Sequence, residues 1–212
     1  MTAVQVWADV RCPWCWMGHR RLAEAVRRSG AQVRVERRSF LLEPRGPATS
    51  RRRVREVALT EWGMSEAGWA ANRDRIERAG RADGLVIRID SARSVDSRPA
   101  HRVLKLAAAR GLDAEAAWDA MFAAHLEHNL DLEDWDVLAA VGTEAGLDRR
   151  DVLALAGSDD LVADVHADVQ EAQAKGIHSV PTLVHGDQGL SGARSVPELV
   201  EFVRSAAAKA VG

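Results

Sequence analysis

Two cysteines separated by two residues are the part of this chain best suited to chemistry. Cys12 and Cys15 are the only cysteines among the 212 residues, and they stand in the order Cys-Pro-Trp-Cys. A pair at this spacing can bring its sulfur atoms within bonding distance and can alternate between dithiol and disulfide. A disulfide across so short a loop would restrain little of the unfolded chain, so the spacing favours a redox role over a structural one.

The neighbouring segments place this pair where a strand meets a helix. Apolar residues alternate over residues 4–10, which predicts a strand, and the hydrophobic period becomes helical from Pro13 to about residue 29. Unpaired backbone N–H groups and the helix dipole stabilise a negative charge at the start of a helix. Because the thiolate is the attacking species in disulfide exchange, we expect Cys12 to attack and Cys15, one turn deeper, to resolve the mixed disulfide.

A zinc site is the main alternative for the cysteines. Cys12, Cys15 and His19 could supply three ligands from one helix. A closed structural zinc site needs four ligands, and the chain has no further cysteine to complete it. The sequence therefore predicts neither a bound metal nor a cofactor.

The remaining segments predict an α/β domain that is interrupted by helices. A second strand is expected at residues 32–40, and a hairpin near residues 182–191 precedes a final helix that starts with a capping box at Ser195. Between them, a short strand is expected at residues 85–89, and helical patterns cover residues 50–62, 65–82, 97–110, 114–128, 133–145, 149–156 and 159–175. We therefore expect residues 1–47 and 176–212 to form one domain and residues 48–175 to form a helical insertion.

One histidine of the insertion continues an apolar helix face. His125 follows Trp118, Met121 and Phe122 at helical spacing. His128 lies three residues further on, but the two histidines lack the nearby carboxylates that di-iron sites use. We interpret His125 as a core or interface residue.

Composition and charge exclude several classes of protein. Hydrophobic residues make up 47%, charged residues 28%, and the net charge is −2, as in an ordinary soluble globular protein. No apolar run reaches the roughly 18 residues that a membrane span needs. The first residues show no basic segment followed by an apolar stretch, so we expect a cytoplasmic protein without membrane contact. No nucleic-acid-binding motif is present, and we expect no nucleic-acid partner.

The motifs around the cysteines resemble those of the DsbA-like oxidoreductases, specifically the FrnE-like branch. The similarity runs through nearly the whole chain in the order of the family, at residues 9–15, 18–21, 40–44, 100–102, 176–182 and 191–193.

This resemblance implies an α/β thioredoxin fold with a large all-α insertion and a disulfide oxidoreductase activity. It implies that the Val180–Pro181 bond is cis and faces the cysteines, so that Val180 and Pro181 contact substrate. Pro13 and Trp14, which stand between the cysteines, are further expected substrate contacts, and packing of Trp14 against the helical insertion is the alternative. His101, in a matched segment, is expected to approach the cysteines as a further substrate-site residue. The implied partners are protein or small-molecule thiols and disulfides, with glutathione or another redox partner renewing the pair.

Two other functions remain open at this point. Similar folds serve as glutathione-dependent isomerases and transferases, such as 2-hydroxychromene-2-carboxylate isomerases, but those relatives carry serine where this chain has Cys12. A non-catalytic binding or chaperone module would leave Cys12 dispensable. Trp14 also stands where periplasmic relatives often carry histidine, and because it lends no positive charge to a thiolate, it argues against strong oxidising power.

Overall fold

The computed structural model of the protein describes residues 2–209. Its strands are β1 (Thr2–Ala8), β2 (Val33–Ser39), β3 (Thr182–His185) and β4 (Gln188–Ser191). Its helices are α1 (Pro13–Ser29), α2 (Val54–Thr60), α3 (Glu66–Ala82), α4 (Arg98–Ala109), α5 (Ala114–Leu126), α6 (Trp135–Glu144), α7 (Arg149–Ala156), α8 (Val162–Ala174) and α9 (Val196–Ala208). Met1 and residues 210–212, which the expected domain boundaries include, lie outside the described residues.

The four strands form one mixed sheet in the order β2-β1-β3-β4. β1 pairs with β2 in parallel and with β3 antiparallel, while β3 and β4 form an antiparallel hairpin. The parallel pair needs a crossover, and α1 supplies it. This is the α/β arrangement that the sequence predicts. It places the start of α1 at the carboxyl end of β1, which is an inner strand of the sheet.

The side chains of β1 alternate between the two faces of the sheet. Val4 and Val6 pack with Leu22 of α1 and Leu199 of α9, so α1 and α9 cover one face. On the other face, Trp7 packs with residues of and after α8, and its Nε1 donates to the carbonyl of Asp168 at 3.1 Å. α8 therefore covers the opposite face.

The second side of α1 packs against the helices between β2 and β3, which are α2 to α8 and which we call the helical block. Trp16 is buried, stacks on Phe122 of α5 with ring centroids 6.5 Å apart, and donates from Nε1 to Asp119 at 2.8 Å. Arg102 of α4 donates to the carbonyls of Leu155 and Ser158 at 2.8 and 2.7 Å, where α7 ends. The Trp16 contacts hold the helical block against the cysteine-bearing helix, and the Arg102 contacts join α4 to the end of α7 within that block.

Two predicted elements of the helical block differ from the structure, one in type and one in length. Residues 85–89 form no strand, although Leu85, Ile87 and Ile89 are buried in the expected alternation. The helix predicted at residues 50–62 shortens to α2, because Arg51 takes a left-handed backbone conformation (φ 66°) and its N–H donates to the carbonyl of Ser94. In both places, pairing with distant segments determines the backbone.

Candidate active site

The two thiols lie at the N-terminus of α1, and both are buried, Cys12 less completely than Cys15. Cys12 is the N-cap residue, with φ −88° and ψ 112°, and Pro13 is the first helical residue, where no N–H donor is needed. The N–H of Cys15 donates to the carbonyl of Cys12 at 3.0 Å. Cys12 keeps 7% of its surface exposed, whereas Cys15 keeps 1%, and both are free thiols. The geometry gives a reagent from solvent access to Cys12 first.

The electrostatics of the pair add to this asymmetry. Burial raises the pKa of the Cys15 thiol well above its ordinary value of 9.0, and the neighbouring Cys12 raises it further. Cys15 therefore stays protonated while the more accessible sulfur reacts. The arrangement fits one attacking and one resolving cysteine.

The loop before β3 closes over Cys12. The Val180–Pro181 peptide bond is cis. The thiol of Cys12 faces the carbonyl of Val180, with Sγ 3.8 Å from the oxygen. The Pro181 carbonyl accepts from the N–H of Gly192 at 2.8 Å, which ties the loop to the end of β4.

A buried carboxylate fixes the segment that leads into the cysteines. Asp9 accepts from the N–H of Arg11 at 3.1 Å, from the N–H of Leu42 at 2.8 Å and from Oγ of Ser97 at 3.2 Å. Burial alone would raise the pKa of Asp9, but the neighbouring His101 and Arg11 outweigh it and hold the pKa below its ordinary value of 3.8. Asp9 thus joins the cysteine loop to two other segments of the chain as a charged group.

We predict that Asp9→Asn destabilises the protein by about 2–4 kcal/mol at neutral pH, because the amide nitrogen leaves a buried N–H facing another donor. The pKa of Asp9 is depressed, so its contribution is complete above 3.8 and is lost as pH falls through the folded-state value. The difference between wild type and Asp9→Asn should therefore narrow in acid. Urea unfolding at neutral pH and below pH 3.8 measures this, with the exposed turn residue Asp187→Asn as control. A constant difference across that range would refute the role of the charge.

A glycine in α1 lets Pro181 approach the helix. A Cβ atom at Gly18 would lie 2.9 Å from Cγ of Pro181, closer than side chains approach one another. One turn further on, Arg21 donates to the carbonyl of Ala193 at 2.7 Å and binds Asp83, which directly follows α3. The Pro181 loop and the helical block therefore both contact α1 along one side.

We predict that Gly18→Ala costs about 1–3 kcal/mol of stability and also lowers disulfide-exchange activity. Alanine favours a helix by about 1 kcal/mol over glycine, but a methyl group forced against a rigid proline ring displaces Pro181 from the cysteines. Thermal unfolding and an insulin-reduction assay measure the two effects. Gly157→Ala is the control, since a Cβ there meets open space. A stable and fully active Gly18→Ala protein would contradict the prediction.

A cleft opens beside Cys12 between α1 and the helical block. We call it the tryptophan cleft, after the three tryptophans Trp14, Trp62 and Trp69. Its lining consists of Arg11, Cys12, Pro13, Trp14, Leu42, Glu43, Val54, Trp62, Trp69, Asn72, Ile76, Ile89 and His125. Its volume is about 390 Å³, within the range of small-molecule sites. Cys12 is thus part of the wall of a largely apolar cavity.

The structure brings most of the predicted site residues together. Pro13 and Trp14 line the tryptophan cleft with Cys12, and Val180 contacts Cys12 from the opposite loop. His101 is completely buried, with Nε2 at 3.6 Å from Asp9 and its ring edge-on to Trp118. His101 is therefore placed to influence the cysteines through Asp9 rather than by contact with substrate.

Sequence reasoning missed the residues that come to the cleft from distant segments. Trp62 follows α2, and Trp69 lies in the first turn of α3. No spacing in the sequence relates either residue to the cysteines. The prediction that His125 is a core residue is confirmed by its burial, but its place on the cleft wall was not foreseen. His19, which the zinc alternative required, is buried with Nε2 at 3.5 Å from Glu115.

The chain belongs to the DSBA-like thioredoxin domain family, which matches residues 3–204. A probable DsbA oxidoreductase from Streptomyces coelicolor is similar in structure, with 30% sequence identity, a TM-score of 0.89, and coverage of 97% of this chain and 90% of the other. The predicted family and the thioredoxin fold with a helical insertion are thereby confirmed. No curated protein sequence matches this chain.

More distant structures share the fold. The cytosolic disulfide reductase DsbM from Pseudomonas aeruginosa, solved with GSH, is 15% identical with a TM-score of 0.64, and the match covers 99% of this chain and 98% of DsbM. A 2-hydroxychromene-2-carboxylate isomerase is 17% identical with a TM-score of 0.68, and the match covers 99% and 96%. Both activities occur on this architecture, so the residues at the site must decide between them.

Two further observations concern the described part of the chain. Within residues 2–209, the helices include none with the length and apolar character that crossing a membrane requires. The same residues contain no cluster of three or more histidine, cysteine or acidic side chains with the geometry of a metal site.

Proposed function

We propose that the protein is a thiol–disulfide oxidoreductase that exchanges disulfides through the Cys-Pro-Trp-Cys pair. The observation that carries the proposal is the asymmetry of the two thiols. Cys12 caps a helix, keeps the larger exposed fraction of the two and faces the carbonyl of Val180, while Cys15 is almost completely buried with a pKa raised well above its ordinary value. The membership in the DSBA-like family supports the same reaction.

The reaction proceeds by two displacements at sulfur. The Cys12 thiolate attacks one sulfur of a substrate disulfide, the Cys12–substrate bond forms, and the second substrate sulfur leaves as a thiolate that takes a proton from water. Cys15 then loses its proton and attacks the sulfur of Cys12, which releases the remaining substrate thiolate. Two electrons pass from the cysteine pair to the substrate, and the reverse sequence oxidises a dithiol.

The loop residues supply the substrate contacts in this proposal. The backbone at Val180 lies beside Cys12, where an extended peptide could pair with it as an added strand, and Pro13, Trp14 and Pro181 border the same space. His101 acts as a positioning residue through Asp9. Residues 48–175 form the insertion that carries the far wall of the cleft.

An isomerase activity is the second candidate, on account of the structural likeness to 2-hydroxychromene-2-carboxylate isomerase. Cys12 disfavours it, because the resembling isomerases carry serine at this position. A cytoplasmic location and renewal of the pair by glutathione are supported by the likeness to a cytosolic disulfide reductase solved with GSH.

Trapping tests the proposed function directly. In Cys15→Ser the second displacement is lost, so we expect mixed disulfides to accumulate on Cys12, and non-reducing electrophoresis with mass spectrometry detects and identifies them. Cys12→Ser is the matched control and should trap nothing. If Cys15→Ser forms no adducts, or if both variants form them equally, Cys12 is not the attacking group.

A further inference from the structure

The walls of the tryptophan cleft are flat aromatic surfaces held in place before any ligand binds. Nε1 of Trp69 donates to Asp90 at 2.5 Å, which fixes that ring in the buried wall. The guanidinium group of Arg75 lies 5.0 Å from the ring centre of Trp14. Trp62 is 49% exposed at the rim. Such surfaces favour a flat, apolar group that can stack on them.

One buried polar group of the cleft lacks a partner. His125 keeps 1% of its surface exposed, and its Nδ1 has no hydrogen-bond partner in the described part of the chain. Burial, together with the charge of Arg11, lowers the pKa of His125 to about 4, so the ring is neutral at physiological pH. A neutral imidazole offers one donor and one acceptor. Nδ1 itself is closed to solvent, so a ligand hydroxyl meets the ring from the side that forms part of the cleft wall. A buried imidazole in a largely apolar wall is a specificity element for such a ligand.

The charge of the cleft disfavours an ionic ligand. Among the described residues of its lining, the charges belong to Arg11 and Glu43, and these two side chains pair with each other at 2.6 Å. Glutathione disulfide carries several carboxylates and ammonium groups. Arg75, which lies against Trp14 beside the lining, offers a cation to one carboxylate, and the other charged groups would lose hydration here without a partner. The cleft therefore matches an uncharged substituent better than it matches glutathione.

We propose that the tryptophan cleft binds the aromatic substituent of a small organic disulfide, with a ring hydroxyl on His125, and presents its sulfur to Cys12. This proposal rests on the proposed function, of which it specifies the substrate class. The Cys12 thiolate forms a bond to one substrate sulfur and breaks the disulfide. Cys15 then completes the cysteine disulfide, and two molecules of aromatic thiol leave. Dithiothreitol serves as the reductant that renews the pair in the assay.

The kinetic test compares bis(4-hydroxyphenyl) disulfide with glutathione disulfide. We expect wild type to show a kcat/KM at least about tenfold higher for the aromatic disulfide. Trp62→Ala should lower that value by about tenfold and leave the value for glutathione disulfide unchanged, since loss of one stacking surface has that scale. Val86→Ala is the control, because Val86 is an exposed apolar residue outside the cleft. Equal rates for the two disulfides, or a preference that Trp62→Ala does not change, would overturn the proposal.

A binding measurement separates failure of this proposal from failure of the proposed function. Calorimetry of bis(4-hydroxyphenyl) disulfide with Cys12→Ser reports binding without reaction, and Trp62→Ala in the same background should weaken it by about tenfold. If binding depends on Trp62 but wild type does not reduce the aromatic disulfide, the redox function is refuted and the cleft remains a binding site for the aromatic group. Absence of binding would refute the site. If Trp62→Ala lowers insulin reduction by the same factor, the cleft serves aromatic side chains of proteins, and the small-molecule assignment is wrong.

Discussion

Cys12→Ser is expected to reduce disulfide turnover to the uncatalysed rate, a loss of at least about a thousandfold, which is the scale seen when an enzyme loses its nucleophile. A serine oxygen would occupy the same position at the start of α1, but it cannot form a disulfide with the substrate. Insulin reduction with dithiothreitol measures the loss, and circular dichroism checks that the fold persists.

The same variant distinguishes oxidoreductase from isomerase. A 2-hydroxychromene-2-carboxylate isomerase uses a serine at this position, so Cys12→Ser would retain or gain that activity if the protein were of that class. We expect no isomerisation of 2-hydroxychromene-2-carboxylate by either wild type or variant in the presence of glutathione. Turnover of insulin by Cys12→Ser at the wild-type rate would refute the assigned nucleophile.

The second large effect concerns Asp168, a buried carboxylate of α8. It accepts from the N–H of Ser39 at 2.6 Å, contacts the ammonium group of Lys105, and lies 3.4 Å from Nη1 of Arg38. Its side chain is 3% exposed. The carboxylate therefore links the helix that covers one sheet face to the end of β2 and to α4.

We expect Asp168→Ala to lower the free energy of unfolding by about 3–5 kcal/mol, because it leaves a buried N–H and two cations without their common partner. Urea or thermal unfolding measures the change. Asp164→Ala, an exposed acid on the same helix, should shift stability by less than about 1 kcal/mol. A similar loss in both variants would mean that helix propensity, rather than the buried contacts, accounts for it.

Local patterns predicted those elements whose stability is itself local. The helix expected at residues 149–156 matches α7, whose N-cap Asp148 accepts from the N–H of Arg150. The capping box at Ser195 and the hairpin of β3 and β4 were predicted from residues a few positions apart. In each case the interacting groups are near neighbours in sequence.

Two segments whose backbone pairs with distant parts of the chain were not predicted correctly. Residues 85–89 alternate like a strand because alternate side chains are buried, yet the N–H of Arg88 donates to the carbonyl of Leu126, at the end of α5. Alternation reports which side chains are buried and does not say what the backbone pairs with. The tryptophan cleft is hidden from sequence for the same reason, since Trp14, Trp62 and His125 converge only in the folded chain.

The cysteine pair and the carbonyl that faces it are far apart in the chain. Cys12 and Val180 are separated by 168 positions. During synthesis at about 5–20 residues per second, both thiols leave the ribosome roughly 10–30 s before the loop that covers them exists. For that interval they are unshielded sulfur groups on a growing polypeptide, open to any oxidant or foreign thiol. The yield of correctly reduced protein should therefore depend on the reducing capacity of the compartment in which translation takes place.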